Sequence, residues 1–495
     1  MRELTSTSYV ASTYTDENTL YKNMLTEPVV LSMNLTHLYG TNNNQFPLLM
    51  LTEGQGQIAR IAPKKESLGD TQYVWPIMGM MKYTSEAVRL ADTSNTKPGL
   101  GFTPFKVVFK DNWFHDLYGA HSPDMKSLVR INGEPKAIGA NEYEATMVIV
   151  GGNPSEYISL DNFLQGKFWV LAPTSVSASK SDGTTSNEMV PGKLTNQFGF
   201  QRYSKKIAGN ISNKVVPYNM PLSDGTTTTK WMPFSMKLWE LDRRMLTEHG
   251  MWHDKYNRNE SGIVTLIDPY TNEPVPHGAG VKEIIQKFGY YDTYGPELPL
   301  KKINTIVDII FTSFMGSTPD EIVIYGGTGA RKKWHNAMMG DSKANQYFTA
   351  LGHQEIQNGT NGFMTYGKYF DQYKTIHGKI ITFKHSDFFD KGPIAQMQKM
   401  NGDMYDGLPI YSYTMVMLDH SADESGVRNI MMTAEQGREV ITNVYKGMSP
   451  LPEVWKAAVG NNIATTKDVA SYEVLTSNGI CITKPVTSFW LDFML

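Results

Sequence analysis

The chain has 495 residues, 46 of them basic and 49 acidic, a net charge of −3 and one cysteine, Cys481. One cysteine excludes an intrachain disulfide, and a chain this long buries a sufficient core without one. The charge balance and the lack of long like-charge runs argue against a surface that coats nucleic acid non-specifically.

The length corresponds to about three domain-sized units, or one domain with large insertions. The most apolar window, Ile303 to Met315, is interrupted by Asn304, Asp308 and Thr312, so no membrane span is expected. The first residues carry no apolar h-region, and no secretory signal is expected. Charged residues make up only 19%, against 26 Tyr and 28 Met. Interface cores are depleted of charge and enriched in these two types, although methionine also fills large cores.

In chain order, residues 1–50 are polar with scattered apolar anchors and predict an extended arm. Residues 51–232 read mostly as strands. Phe105 to Phe109, Tyr143 to Val150 and Phe168 to Leu171 carry β-branched and aromatic residues between Gly, Pro and Asn clusters. Ser175 to Asn187 reads as a polar loop, and Ser223-Asp224-Gly225 as a hairpin tip. From Pro233 the period becomes helical. Phe234 to Tyr256 predicts one long helix with Ser235 as N-cap and Leu238, Leu241, Met245 and Trp252 on one face. Leu300 to Met315 predicts a second helix with an apolar stripe of Ile303, Ile306, Val307, Ile310, Phe311 and Phe314, stopped at Gly316. A strand Glu321 to Tyr325, a glycine turn and a helix from Thr328 to Met339 follow. Further strands are expected at Ile376 to Phe383, Tyr411 to Leu418 and Arg428 to Thr433. Asn478-Gly479, between Ser471 to Ser477 and Ile480 to Lys484, predicts a closing hairpin.

Each motif that suggests chemistry has a missing part. Gly326-Gly327-Thr328-Gly329 joins a strand to a helix as phosphate loops do. It continues with Ala330-Arg331, whereas a Walker loop needs Lys and then Ser or Thr. The three glycines therefore read as a sharp strand-to-helix turn. His249 and His253 lie one helical turn apart, but Gly250 stands where a zinc protease has Glu. His115-Asp116, His385-Ser386-Asp387 and Asp419-His420-Ser421 are fragments of triads without a nucleophile elbow. Asp254, Asn257, Asn259 and Glu260 lack EF-hand spacing. Cys481 sits in an apolar strand and reads as an inert buried thiol. No catalytic residue, cofactor or metal is expected.

The order of elements from the hairpin at Asp224 onward resembles the capsid fold of tailed bacteriophages. In that comparison Phe234 to Tyr256 matches the spine helix. Leu300 to Met339 matches the helix, strand and helix after it. Ile376 to Phe383 resembles the apical strands, and Met415 to Asp419 with Arg428 to Val440 the return strands. Asn478 to Leu491, with Pro485, resembles the closing strands. The whole chain is similar to the major capsid proteins of crAss-like phages. The resemblance implies an α+β, HK97-like fold with an N-terminal arm (1–50) and an extended β-loop region (51–232). It further implies a peripheral domain (233–346), an apical domain (347–449) and closing strands (450–495). The β-loop region is too long for a plain loop, so a β-rich inserted domain is expected over about residues 102–195.

The function implied is a shell of hexamers and pentamers around double-stranded DNA, held without sequence-specific contacts and without a membrane. Portal, scaffolding and decoration proteins are the implied partners, and the virion capsid, assembled in the bacterial cytoplasm, is the implied location. Two rival classes compete with it. One is a carbohydrate-binding adhesin with Trp113 and Trp169 as stacking platforms. The other is a phosphate-binding enzyme using Gly326 to Gly329.

Overall fold

The computed structural model describes Leu48 and residues 58–61, 71–79, 81–179, 183–209, 215–222, 225–312, 321–339, 349–351, 372–375, 378–422, 427–447 and 467–495. Apart from Leu48, the expected arm lies outside these residues. The described chain forms two compact units, Met78–Gly192 and a larger one of Met1–Ile77 with Lys193–Leu495.

The smaller unit is a closed antiparallel barrel. Its strands run Thr84–Leu90, Phe105–Phe109, Glu142–Ile149, Leu128–Ile131, Gly119–His121 and Lys167–Ala172, and the last pairs with the first again. Closure leaves no edge among these six, while Lys136–Gly139 adds an outer strand to Glu142–Ile149. Alternation aims Val107, Phe109, Ala145, Met147, Val129 and Trp169 into the interior, all nearly or fully buried. The expected insertion began near 102, and the unit begins at Met78. Thr84–Leu90 belongs to it because that strand is what joins the two ends of the sheet.

The larger unit is built on a mixed sheet of seven strands. Their order is Tyr290–Tyr294, Phe489–Phe493, Met415–Asp419, Glu321–Gly326, Ile380–His385, Gln372–Lys374 and Thr349–Leu351. The period-two alternation divides the strands between two cores. Ile322, Ile324, Met415, Met417, Phe489 and Leu491 face a core shared with helices Leu300–Thr312 and Thr328–Met339. Val323, Tyr325, Val416, Leu418 and Trp490 face a second core with helices Trp231–His253 and Val281–Phe288. The six described helices are labelled α1 (Trp231–His253), α2 (Val281–Phe288), α3 (Leu300–Thr312), α4 (Thr328–Met339), α5 (Asp387–Lys391) and α6 (Pro393–Asn401). The sheet runs through the borders expected at 346/347 and 449/450.

A second sheet has the 14-residue strand Val469–Ile482 at its centre. Val469 to Asn478 pairs with Gly199–Ala208, and Ala470 to Thr476 pairs with Val440–Lys446 on the other side. Gly479 to Ile482 pairs with Ile430–Glu435, which in turn pairs in parallel with Ile58–Ile61. The hairpin expected at Asn478-Gly479 is therefore absent: these residues lie inside one continuous strand. Gly479 serves a close approach instead, since a Cβ there would lie 2.6 Å from the Tyr73 hydroxyl. The hairpin expected around Asp224 is present as Val215–Pro221 paired with Thr227–Lys230; Ser223 and Asp224 lie outside the described residues.

Helix α1 starts three residues earlier than its sequence suggests. Pro233 falls in the first turn, where a missing N–H costs nothing. Ser235 is not the N-cap but a buried residue whose hydroxyl accepts a 2.6 Å hydrogen bond from Lys205 Nζ.

Candidate functional site

Two groups of residues organise the larger unit: the buried face of α1, and the turn into α4.

On α1, Leu241 and Trp252 are buried, Met245 packs against the same core, and Leu238 is half-buried. Trp252 has no exposure and sits among Tyr325, Phe388, Phe389 and Trp490, with ring centroids 5.5–6.3 Å apart. The helix buries four polar residues that the apolar stripe omitted, Ser235, Lys237, Thr247 and Glu248. Lys237 is buried and donates to Pro221 O at 3.1 Å. Glu248, with no exposure, accepts from Trp252 Nε1 at 2.7 Å and from the Leu48 amide at 2.9 Å. Polar residues at core positions break the pattern that a hydrophobicity count detects, so the full face was not legible. On α3, Ile303, Ile306, Val307 and Ile310 are all buried against the sheet; Phe314 and Gly316 lie outside the described residues.

The Gly326 to Gly329 turn is filled by the chain's own groups. Asp390, from α5, accepts from the Thr328 amide (3.0 and 3.1 Å), Thr328 Oγ1 (2.6 Å), Ser412 Oγ (2.5 Å) and His385 Nε2 (2.8 Å). The Gly329 amide donates to Ser412 Oγ at 2.8 Å. Burial acts to raise the Asp390 carboxyl, and the hydrogen bonds from His385, Ser412 and Thr328 outweigh it and hold the group below the usual range. A carboxylate at a helix N-terminus is favourable for the reason a phosphate would be; here the anion is supplied internally. The glycines are required by contact. A Cβ on Gly327 would lie 2.3 Å from Asp390 Oδ1, and one on Gly329 2.8 Å from the Tyr413 ring. His385, Asp387 and Asp390 gather three ligand-type atoms, but the oxygens of Asp390 are taken up as described, and Asp387 pairs with Lys391 at 3.2 Å.

His253, His420, Ser386, Asp419 and His115, from the other motif fragments, have structural partners. His253 bonds the Tyr411 hydroxyl at 2.7 Å, and burial with nearby His249 and Lys282 pushes it down to about 3. His420 bonds the Tyr325 hydroxyl at 3.0 Å, and burial pushes it down to about 4. Ser386 caps α5, and Asp419 accepts from Thr487 and Ser421. His115 faces Glu134. Cys481 is buried, which pushes its thiol up to about 12 and removes it as a nucleophile at neutral pH. Trp169 is enclosed in the barrel and donates to Asn162 O at 3.1 Å, so it offers no stacking face; Trp113 donates to Lys82 O at 2.6 Å.

A family model described as the Crassvirus major capsid protein matches residues 5–494. The major capsid protein of Bacteroides phage crAss001 is 23% identical over 258 residues, covering 48% of this chain. The match spans half (50%) of the length of that relative. Among solved structures, Mycobacterium phage Bobi matches at 8% identity and a TM-score of 0.33, covering 96% of this chain and 98% of that one. The mature capsid of bacteriophage PhiM1 matches at 12% and 0.30, covering 65% and 79%. The holo-SrpI encapsulin complex from Synechococcus elongatus PCC 7942 matches at 10% and 0.29, covering 63% and 77%. Likenesses this distant carry no weight beside the family model. Because that model accounts for nearly the whole sequence, the chain belongs to the Crassvirus major capsid protein family.

Proposed function

We propose that this protein is a shell subunit. It self-assembles as hexamers and pentamers into an icosahedral capsid, with an HK97-like division of labour, around double-stranded DNA. The observation that carries this is the family match over residues 5–494. A building role also accounts for the Gly326 to Gly329 turn, where the anion is the chain's own Asp390.

In this reading the arm (1–50) reaches neighbouring subunits, and the spine helix α1 stiffens the peripheral region. The apical region, expected over 347–449, meets its copies at the capsomer axes. It is continuous with the peripheral region through the seven-stranded sheet. The inserted barrel lies in the β-loop region and decorates or bridges. DNA is held by enclosure, consistent with the net charge of −3. Portal, scaffolding and decoration proteins complete the particle, which assembles in the host cytoplasm. The subunit is not catalytic.

Negative-stain electron microscopy of the purified full chain tests this. Closed shells, sheets or capsomer-sized rings are expected. A monodisperse trimer with glycan affinity would overturn the reading in favour of an adhesin.

A further inference from the structure

The chain enters and leaves the barrel at one end. Thr84 begins the first strand there, and the residues after Ala172 run back over the same end. Tyr118 Oη donates to Thr185 O at 3.1 Å and Asn187 Nδ2 to Trp113 O at 2.9 Å, which fixes that return. The opposite end is built by three loops, residues 91–104, 122–127 and 150–166. The antiparallel order of the six strands brings all three together, and neither connection to the larger unit leaves from this end.

These loops are fastened to one another. The Gly101 amide donates to Pro154 O at 2.8 Å and the Ile158 amide to Pro98 O at 3.0 Å. Asn162 Nδ2 donates to Asp124 Oδ2 at 3.1 Å, and Ser127 Oγ to Glu156 Oε1 at 3.2 Å. Beneath them Phe163 packs on Trp169 and Phe105, with ring centroids 5.6 and 5.8 Å away.

On this fixed frame Leu100, Met125, Val150, Tyr157, Leu160 and Leu164 stand between 41% and 62% exposed. Met125 does so from a left-handed backbone, φ 58°, which a side chain of its size rarely adopts. Asp124 holds that turn, accepting from Ser122 Oγ at 2.6 Å and from the Lys126 amide at 3.2 Å. An ordered surface that keeps several large apolar groups in water marks an interaction site.

Two observations identify what covers it. The first is charge. Exposed Lys97, Lys126 and Lys167 are balanced by exposed Asp92, Asp124 and Asp161. Such a surface does not attract a polyanion, and it can be laid against its own copy without net repulsion. The second is size. A specific interface takes about 20–30 residues from each partner, and the exposed residues of the three loops come to about that number.

We propose that this end of the barrel docks on the same end of a second copy of the chain, in an isologous contact. The proposal rests on the shell-subunit reading and deepens it. Members of one hexamer or pentamer meet head to tail, whereas an isologous contact relates its two partners by a twofold axis. The barrel therefore links two neighbouring capsomers and takes no part in closing a ring.

The first test is analytical ultracentrifugation of the full chain over a concentration series below shell formation. A weak, reversible dimer is expected in the parent. Leu160→Asp/Leu164→Asp should weaken it at least tenfold, with the fold checked by circular dichroism. Met125→Asp, on a different loop, should weaken it several-fold and decides where the double variant does not fold, since aspartate tolerates the left-handed backbone. The second test is hydrogen exchange on purified shells, where amides of the three loops should exchange more slowly than in the free chain. A parent that forms no dimer, variants that dimerise like the parent, or loops that exchange equally fast in shells and in the free chain overturn the proposal. Protection found only in particles that carry a second protein gives the surface to that protein and also overturns it. Dimers lost in the variants, from a parent that never forms shells, support the contact and contradict the shell reading. Shells with unprotected loops do the reverse.

Discussion

Replacing Asp390 by alanine removes the only anion at the N-terminus of α4 among the described residues and leaves four donors facing its space. These are the Thr328 amide and hydroxyl, the Ser412 hydroxyl and His385 Nε2. Each buried donor left unmet costs about 1–3 kcal/mol, and loss of one member of a buried polar pair costs about 3–5 kcal/mol in total. Some donors can turn to water, since His385 is 28% exposed at its side chain, so the lower part of that range applies, about 3 kcal/mol. Asp390→Asn keeps one acceptor oxygen and should cost about half as much, on the order of 1–2 kcal/mol. Denaturant titration of the unassembled chain at neutral pH, followed by tryptophan fluorescence, measures both. The sign with pH is fixed as well. The folded carboxyl lies below the usual range, so its stabilisation is present above the unfolded value near about pH 4 and is lost as pH falls through the folded value. The gap between parent and Asp390→Asn should therefore close in acid. An Asp390→Ala protein within about 0.5 kcal/mol of the parent, the range of an ordinary surface change, would refute the account of this turn.

Gly327→Ala should lower the unfolding midpoint clearly, because the new methyl meets Asp390 Oδ1 at 2.3 Å, whereas Gly79→Ala has nothing within 4 Å and should be neutral. Trp169→Ala should cost about 3–5 kcal/mol and make residues 78–192 the first target of limited proteolysis, with the larger unit intact. Acid should destabilise the chain through His253 and His420, held down at about 3 and about 4 by burial. Such groups cost nothing above their unfolded value and progressively more below it, about 2 kcal/mol each at pH 5; His420→Gln should flatten the pH dependence of the melting temperature between pH 6.5 and about 4.5. Deleting residues 1–40 should leave the subunit folded and stop shell formation, as circular dichroism and microscopy together would show.

The helices that position the core were legible because each carries a long apolar period. The stripe Ile303, Ile306, Val307 and Ile310 is buried as spaced, and Thr328–Met339 follows its glycine turn as read. Helix α2 gave no comparable signal: its eight residues make little more than two turns. Asn478-Gly479 misled because glycine answers two demands, a left-handed turn and a close backbone approach, and the sequence does not distinguish them. Here Tyr73 and Thr433, distant in sequence, make the second demand. The barrel's first strand was missed for a related reason. Thr84–Leu90 alternates like any strand, and only its pairing with Lys167–Ala172 assigns it to the inserted unit. Asp390, which completes the turn into α4, is 62 residues from Thr328, and no local pattern links the two.

Mass photometry of the purified full chain across a concentration series tests the shell assignment most directly. The account predicts that subunits of 55.6 kDa give way to five- and six-copy species and then to much larger particles as concentration rises. A chain that stays monomeric at every concentration, with a scaffolding protein co-expressed, or one that stops at a single trimer, would contradict it.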